Sequence, residues 1–293
     1  MGRFGTVLTA MATPFRDDLS LDLDRAQELA SWLVDTGTEG LVVTGSTGES
    51  ATLTDQEKVS LFRAVAEAVR GRAKVIAGTG TYDTRHSIHL TEEAQRAGAD
   101  AVLLVAPYYN KPPQRGLLAH FTEIAGATEL PVIVYNIPGR TAVRIEHDTM
   151  LRLAEVDNIV AVKDSTGDLD AVASLISAAP EGFEVYSGDD WATLYYTALG
   201  GAGVVSVASH LAGERIGRMI ALLQDGDVAG ARMLHFELQP LFHALFLTSN
   251  PIPLKAALAL AGQPVGPPRP PLYAATEEEI ERVKQGMVDS GVL

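Results

Sequence analysis

The sequence predicts a closed (β/α)8 barrel, a TIM barrel, with a C-terminal helical extension. Two observations indicate this fold: eight short apolar runs, and segments of helical periodicity between them. The runs are nearly continuously apolar, which is typical of parallel strands covered on both faces. All eight lie between Thr6 and Ala208, a length that suits a barrel of roughly 250 residues. An open doubly wound sheet is the alternative.

The eight predicted strands are five to seven residues long. In chain order they span residues 6–10, 40–45, 74–80, 101–107, 131–136, 159–163, 183–188 and 203–208. Alternation of such runs with helical segments supports parallel connections between neighbouring strands. In a barrel of this kind, the reacting groups lie at the C-terminal ends of the strands.

The helical segments carry recognisable ends. Segments 24–37, 55–71 and 84–98 each close at a glycine that can adopt the left-handed cap conformation. Thr54 and Glu57 have the spacing of a capping box, which begins the second of these helices.

Three further helices are predicted beyond the eighth unit, in residues 227–246, 250–262 and 276–291, with a stiff Pro-rich connector at 262–272. We therefore expect residues 1–223 to form the barrel that carries the active site. Residues 224–293 should form a helical extension packed on that barrel.

Composition excludes several functional classes. With 46% apolar residues among 293 and no cysteine, the chain can bury a sizeable core without disulfides. Its net charge of −14 opposes nucleic-acid or anionic-membrane binding, because phosphate recognition depends on clustered Lys and Arg. The start of the chain lacks a signal-peptide pattern, and no apolar run reaches bilayer length. We expect a soluble protein of the cytoplasm, in which any anionic ligand needs a local positive site.

Motifs for nucleotides and metals are incomplete. The GTG of residues 78–80 lacks the third glycine of a dinucleotide-binding loop, and no GxxxxGK[ST] sequence occurs. The seven histidines form no HExxH pattern, and His86 with His89 is more typical of a polar helix face than of a metal pair. The sequence predicts neither a metal nor a nucleotide cofactor.

Lys163 ends the sixth predicted strand, after four apolar residues. Alone among the six lysines it has this position, and we expect Lys58 and Lys255 to serve packing or solvation. A strand-end lysine can reach water or pair with the adjacent Asp164. Burial, however, favours the neutral amine, which attacks a carbonyl carbon to form a Schiff base. Schiff-base chemistry would account for a lysine in this place.

Two neighbours of Lys163 in the predicted barrel mouth strengthen this interpretation. Tyr135 is near the end of the fifth strand; a buried tyrosine can be purely structural, but beside an attacking amine its phenol can carry protons. The GSTGE loop, residues 45–49, follows the second strand. It can be a plain glycine-rich loop, or its two hydroxyls and backbone N–H groups can form a nest for a carboxylate.

The chain resembles the dihydrodipicolinate synthase family, in the pyruvate-dependent class I aldolase superfamily that also contains N-acetylneuraminate lyase. The resemblance spans nearly the full length, and the motifs occur in the family's order: GSTGESATL, VIAGTG, APYYNKPPQ, YNIPGRT, VKDSTG, YSGDD, GVVSV and NPIPLK. It implies a TIM-barrel lyase of lysine and diaminopimelate biosynthesis, which condenses pyruvate with L-aspartate-4-semialdehyde.

The resemblance also implies the catalytic residues. Lys163 would form a covalent imine with pyruvate, so that no separate cofactor is needed. Tyr135 would shuttle protons together with the hydroxyl of Ser46 and with Tyr109, which reaches in from a neighbouring subunit. The family usually has threonine at the position of Ser46, and serine lacks the methyl group that stiffens the first side-chain torsion.

The substrate-binding residues follow from the same resemblance. Thr47 and its backbone N–H would bind the pyruvate carboxylate, while Val205 and Gly188 would line the pocket. Arg140 would hold the carboxylate of the second substrate, a task that suits its planar fork. The structural alternative for Arg140 is a loop arginine that pairs with a nearby Asp or Glu.

Assembly and regulation are further expectations from the family. Tyr109 acting across an interface requires at least a dimer, and the family suggests a homotetramer, a dimer of dimers. Lysine-inhibited relatives have two histidines and a glutamate where this chain has Asp55, Lys58 and His86, although Ser50 and Tyr108 are retained. We therefore expect feedback by lysine to be weak or absent.

Other functions remain as alternatives. A related pyruvate-dependent aldolase or lyase could act on another aldehyde or on a sugar acid, although such sugar-acid lyases generally lack an arginine after YNIP. A catalytically silent barrel could sense a keto acid and would bind pyruvate without an imine. A pyridoxal-phosphate enzyme would need a phosphate cradle, which the sequence does not show.

Overall fold

The protein is a closed barrel of eight parallel strands, seen in a computed structural model that describes residues 2–293. The strands are β1 Val7–Ala10, β2 Gly40–Val43, β3 Lys74–Gly78, β4 Ala101–Val105, β5 Val132–Asn136, β6 Ile159–Asp164, β7 Glu184–Ser187 and β8 Gly203–Ser206. Each pairs with its neighbour in sequence, and β1 pairs with β8. The barrel prediction is confirmed, and the open-sheet alternative is wrong.

Twelve α-helices occur within residues 2–293. They are α1 Leu23–Asp35, α2 Asp55–Val69, α3 Thr84–Arg96, α4 Gln114–Ala125, α5 Pro138–Thr141, α6 His147–Ala154, α7 Leu169–Ala178, α8 Thr193–Ala198, α9 Ser209–Gln224, α10 Val228–Ala244, α11 Ile252–Leu260 and α12 Glu277–Asp289. In the part of the chain that the structure describes, none of them is both long and apolar enough to cross a bilayer.

The helix-end signals in the sequence are confirmed. The Thr54 side chain accepts from the backbone N–H of Glu57, and the Glu57 side chain accepts from that of Thr54, so the capping box begins α2. Gly37, Gly71 and Gly98 all have positive φ angles after α1, α2 and α3. Several strands end one or two residues earlier than predicted. At β2 the reason is Thr44, whose φ of 57° turns the chain into the following loop.

Apolar side chains fill the barrel and cover its outside. The interior cluster includes Leu8, Ile76, Ile133, Tyr186 and Val205. A larger cluster packs the outer faces of the strands against the helices. A filled interior leaves room for chemistry only at the ends of the strands.

The C-terminal helices lie on the barrel. Helix α10 packs against α9 and α12, and α11 packs against α12. Helix α9 ends at Gln224, and the boundary between residues 223 and 224 stays a prediction. The connector after α11 returns to the start of the chain, where the Phe15 N–H donates to the Val265 carbonyl at 3.0 Å. The extension thus reaches the rim of the barrel that carries the strand C-termini.

A buried histidine links the loops that follow β1 and β8. His210 Nε2 accepts from the Ala12 N–H at 3.1 Å, and its Nδ1 lies 2.9 Å from the Val207 carbonyl, to which it donates. Only the neutral ring can accept the first bond and donate the second. Burial lowers the pKa of His210 to about 4.

We predict that this histidine makes the fold sensitive to acid. The ordinary histidine pKa of about 6.5 applies to the unfolded chain, so the stabilisation is complete above pH 6.5 and is lost as the pH falls from there toward 4. His210 should therefore contribute a loss of about 2 kcal/mol in unfolding free energy between pH 7 and pH 5. Urea unfolding of the native and His210→Gln proteins measures it. Equal losses in both proteins would contradict the prediction.

Candidate active site

Lys163 and Tyr135 lie side by side at the C-terminal ends of β6 and β5. The two residues are register partners in the parallel pair, so their side chains point to the same face. Lys163 Nζ lies 4.2 Å from the centroid of the Tyr135 ring. Both side chains are buried, with Lys163 only 6% exposed. Pairing of the strands thus brings an amine and a phenol together in a shielded place.

Lys163 has no carboxylate partner within 4.0 Å among the described residues. The adjacent Asp164 is already engaged, because its Oδ1 accepts from the Tyr196 hydroxyl at 2.7 Å and from the Thr166 hydroxyl at 2.7 Å. The simple ion pair between Lys163 and Asp164 is therefore absent from residues 2–293. An amine without a neutralising partner remains available for reaction with a carbonyl compound.

Two adjoining cavities open at this end of the barrel. The smaller, about 40 Å³, brings together six of the eight predicted site residues: Ser46, Thr47, Tyr135, Arg140, Lys163 and Gly188. The larger, about 340 Å³, shares Ser46, Tyr135 and Arg140 with it and extends to Ser50 and Tyr108. Lys163 therefore lies at the inner end of a pocket whose outer part is wide enough for a second small molecule.

Gly188 provides the space that the lysine stem occupies. A Cβ atom at this position would lie 2.0 Å from Ser165 Oγ and 3.0 Å from Lys163 Cε. Val205, the other residue predicted to line the pocket, packs inside the barrel in the same cluster as Tyr135. Val207 borders the smaller cavity, and the role of Val205 stays a prediction.

The loop 45–49 presents its two hydroxyl residues differently. Thr47 is buried, and its Oγ1 accepts from Asn250 Nδ2 at 2.9 Å. Because the amide is the donor in this bond, the Thr47 hydroxyl proton is free to donate to a ligand. Ser46 is exposed to the cavities. The arrangement can bind a carboxylate at Thr47 while a second hydroxyl faces the reacting atoms.

Arg140 has no acidic partner within 4.0 Å in the described chain. It lies in α5 and borders both cavities, and its only side-chain contact of hydrogen-bond length is a long one, 3.5 Å from Nη2 to the Asn250 carbonyl. Pairing with a nearby Asp or Glu, the structural alternative, is wrong. A guanidinium left unpaired at a cavity wall can bind a carboxylate.

Tyr109 lies apart from the other predicted residues. Its side chain is 91% exposed, in the loop between β4 and α4, with a φ of 72°. It borders neither cavity. Its predicted role in the site of a neighbouring subunit stays a prediction, and the strained backbone fits a residue held for function.

Two further residues border the site and were not predicted from the sequence. Asn250 contacts Thr47 and Arg140, and its own Oδ1 is buried without a hydrogen-bond partner in residues 2–293. Asp189 borders the smaller cavity, and burial raises the pKa of its carboxyl to about 6, while a positive charge on Lys163 would oppose the shift. The NPIPLK and YSGDD motifs contain both residues, but nothing in the spacing relates them to Lys163.

Side chains at the predicted regulatory positions interact with one another. His86 Nε2 lies 2.9 Å from Asp55 Oδ1, so the carboxylate is already paired. Lys58 is buried, and desolvation lowers its pKa while the Asp55 carboxylate opposes that shift. A free lysine molecule would meet a cation and an occupied carboxylate here.

Within residues 2–293, no cluster of three or more His, Asp or Glu suits a metal ion.

Comparison with known proteins agrees with the geometry. The model of the dihydrodipicolinate synthetase family matches residues 3–289. A 4-hydroxy-tetrahydrodipicolinate synthase from Moorella thermoacetica is 54% identical over 291 residues, which cover 99% of this chain and 100% of that protein.

Solved structures extend the similarity to three dimensions. Dihydrodipicolinate synthase from Cyanidioschyzon merolae, with lysine bound, has a TM-score of 0.98 at 45% identity, covering 100% of both chains. Dihydrodipicolinate synthase from Bacillus anthracis has a TM-score of 0.96 at 47% identity, covering 98% of this chain and 99% of that one.

A buried, unpaired lysine near a strand end of a (β/α)8 barrel fits a lyase of the class I aldolase type, and the family and its relatives show that class for this chain. The sequence and structural similarity then narrow this class. The chain belongs to the dihydrodipicolinate synthase family.

Restoring the family's usual threonine should improve turnover. The extra methyl group of a Ser46→Thr variant restricts the first torsion, and a gain of about 0.5 kcal/mol corresponds to roughly a twofold higher kcat. Steady-state kinetics with both substrates measures this. Equal or faster turnover by the native serine would count against a role of Ser46 in the proton relay.

Inhibition by lysine should be millimolar or absent, because Lys58 repels an ammonium group and Asp55 is already paired. Inhibition kinetics and calorimetry measure it. A triple variant with Asp55→His, Lys58→His and His86→Glu recreates the residues of inhibited relatives and should gain sensitivity. A micromolar inhibition constant in the native protein would refute this expectation.

Proposed function

We infer that the protein condenses pyruvate with L-aspartate-4-semialdehyde, the activity of 4-hydroxy-tetrahydrodipicolinate synthase, in lysine and diaminopimelate biosynthesis. The observation that carries this function is the buried Lys163 amine, unpaired and 4.2 Å from the Tyr135 ring. Membership of the family supports the synthase over the related sugar-acid lyases.

The reaction begins with capture of pyruvate. The Lys163 amine adds to C2 of pyruvate, and the carbinolamine loses water to give an imine. The methyl group of the bound pyruvate then loses a proton, which yields an enamine nucleophile. The enamine carbon attacks the aldehyde carbon of the semialdehyde. Finally the substrate's own amine displaces the lysine, which releases the cyclic product and the free enzyme without any other cofactor.

Two groups in the pocket would hold the substrate carboxylates. Thr47, held by Asn250, donates its hydroxyl and backbone N–H to the carboxylate of pyruvate. Arg140, which borders both cavities, binds the carboxylate of the semialdehyde as it enters through the wider one. These local donors offset the repulsion of anionic substrates by a chain whose net charge is −14.

Protons pass through Tyr135, Ser46 and the partner-facing Tyr109.

Exposed apolar side chains support two interfaces on opposite sides of the barrel. One surrounds Tyr109 and Tyr82, beyond β3 and β4; the other, beyond β7 and β8, contains Trp191, Tyr195 and Phe236. Two separate patches fit a homotetramer built as a dimer of dimers. The enzyme acts in the cytoplasm on small metabolites and needs neither nucleic acid nor a membrane.

Reductive trapping tests the covalent step. Borohydride added with pyruvate should fix an adduct on Lys163, located by mass mapping, and the Lys163→Arg protein should give none. Turnover with aspartate-4-semialdehyde should exceed turnover with N-acetylneuraminate. An adduct on another residue, or preference for the sugar acid, would contradict the proposed function.

Complementation tests the role of Tyr109 across the interface. Tyr109→Phe and Lys163→Ala proteins should each be nearly inactive, but a co-refolded mixture should recover about a quarter of native activity, because half of the dimers contain one complete site of two. Mixing Ser46→Ala with Lys163→Ala is the matched control and should recover none, since both changes affect groups of the same subunit. No recovery in the first mixture would show that Tyr109 serves its own subunit or none.

A further inference from the structure

A buried ion pair joins the active-site loop to the C-terminal extension. Lys255 Nζ, in α11, lies 2.7 Å from Glu49 Oε1, and the two side chains are 3% and 1% exposed. Glu49 is the last residue of the loop 45–49, which carries Ser46 and Thr47. None of the steps described above uses this pair.

The environment of the pair fixes both partners. Lys255 Nζ also donates to the Pro267 carbonyl at 3.1 Å and lies 4.4 Å from the centroid of the Phe15 ring. Burial lowers the pKa of Lys255, and the Glu49 carboxylate opposes the shift. The other carboxylate oxygen, Glu49 Oε2, accepts from the backbone N–H of Arg269 at 2.8 Å. Both oxygens of one carboxylate are thus held by the extension.

Arg269 also attaches the extension to residues that follow the loop 45–49 in the chain. Its guanidinium donates to Glu57 at 2.6 and 3.0 Å and to the Thr52 carbonyl at 2.9 Å, with its carbon 4.2 Å from the Phe15 ring centroid. Glu57 belongs to the capping box of α2, directly after the loop. The connector therefore holds the chain on the C-terminal side of Ser46 and Thr47.

The backbone of the loop makes the position of Glu49 matter for the hydroxyls. Glu49 has a φ of 55°, in the left-handed region that a non-glycine residue adopts only when its surroundings fix it. Its N–H donates to the Ser46 carbonyl at 3.1 Å. If the carboxylate lost its anchor, Glu49 could relax to a commoner conformation, and this bond would draw Ser46 and Thr47 with it.

A buried ion pair contributes little net stability to a fold. Desolvation of two ions offsets much of their attraction, and apolar residues of similar size often stabilise a core as well or better. An ion pair, in contrast to an apolar contact, brings two particular atoms together, here Lys255 Nζ and Glu49 Oε1 at 2.7 Å. Its placement behind a strained catalytic loop favours a role in orientation.

We propose that Lys255, together with Arg269, positions the active-site loop: by holding Glu49 they set the places of Ser46 and Thr47 relative to Lys163. This inference rests on the proposed function, because it assigns the two hydroxyls to pyruvate binding and proton relay. The helical extension is then part of the catalytic apparatus.

The double variant Glu49→Gln/Lys255→Met tests the proposal, because it removes both charges and leaves no buried ion without a partner. At temperatures well below its Tm, it should still trap saturating pyruvate on Lys163, but its KM for pyruvate should rise about tenfold. Lys74→Met is the matched control. It breaks an exposed pair with Asp100 at the opposite end of the barrel and should leave KM unchanged.

A merely structural role predicts a lower Tm with KM changed less than about threefold, and that result would overturn the proposal. If the double variant does not fold, Lys255→Arg decides by the same threshold, since it keeps the charge but changes the distance to Glu49. Failure of the proposed function itself would appear differently, as the absence of a pyruvate adduct in the native protein.

Discussion

Burial of an unpaired amine is the constraint on which the rest of this structure depends. Lys163 lies next to the C-terminal end of β6 in a closed barrel, in a buried place where an ammonium group would normally require a carboxylate. The adjacent carboxylate, Asp164, is engaged by Tyr196 and Thr166, and no described carboxylate lies within 4.0 Å of the lysine Nζ. Barrel closure places Tyr135 beside it through the β5–β6 register, and the missing Cβ of Gly188 leaves space for its stem. The fold thereby keeps a buried, unpaired amine, the nucleophile of the proposed reaction, at the wall of a cavity.

The surroundings of the amine come from distant parts of the chain. The loop after β2 supplies the hydroxyls, α5 supplies Arg140, and the C-terminal extension supplies Asn250, Lys255 and Arg269. Asn250 contacts two of these groups. Its side chain donates to Thr47, and its carbonyl lies near Arg140. The two groups proposed to bind carboxylates are thus related through one residue outside the barrel strands. The extension is therefore part of the wall of the cavity on which Lys163 lies.

Sequence patterns predicted the regular architecture and the chemistry of single residues. Apolar runs located all eight strands within two residues, and the Thr54–Glu57 spacing located the start of α2, because these signals are local. Lys163 and Tyr135 were identifiable because they lie at or near the end of such a run. Contacts across some 200 residues leave no local signal, so Asn250 was missed. Lys255 is packed over the Phe15 ring rather than solvated, and the sequence did not predict its ion pair, because the partner Glu49 belongs to a distant loop. The helix α5, only four residues long, was likewise too short for periodicity to reveal.

A crystal structure of the protein soaked with pyruvate would test the central claim most directly. We expect continuous density between Lys163 Nζ and C2 of the ligand, with the carboxylate within hydrogen-bond distance of the Thr47 hydroxyl and backbone N–H. Pyruvate bound without a covalent bond, or attached to Lys58 or Lys255, would contradict it.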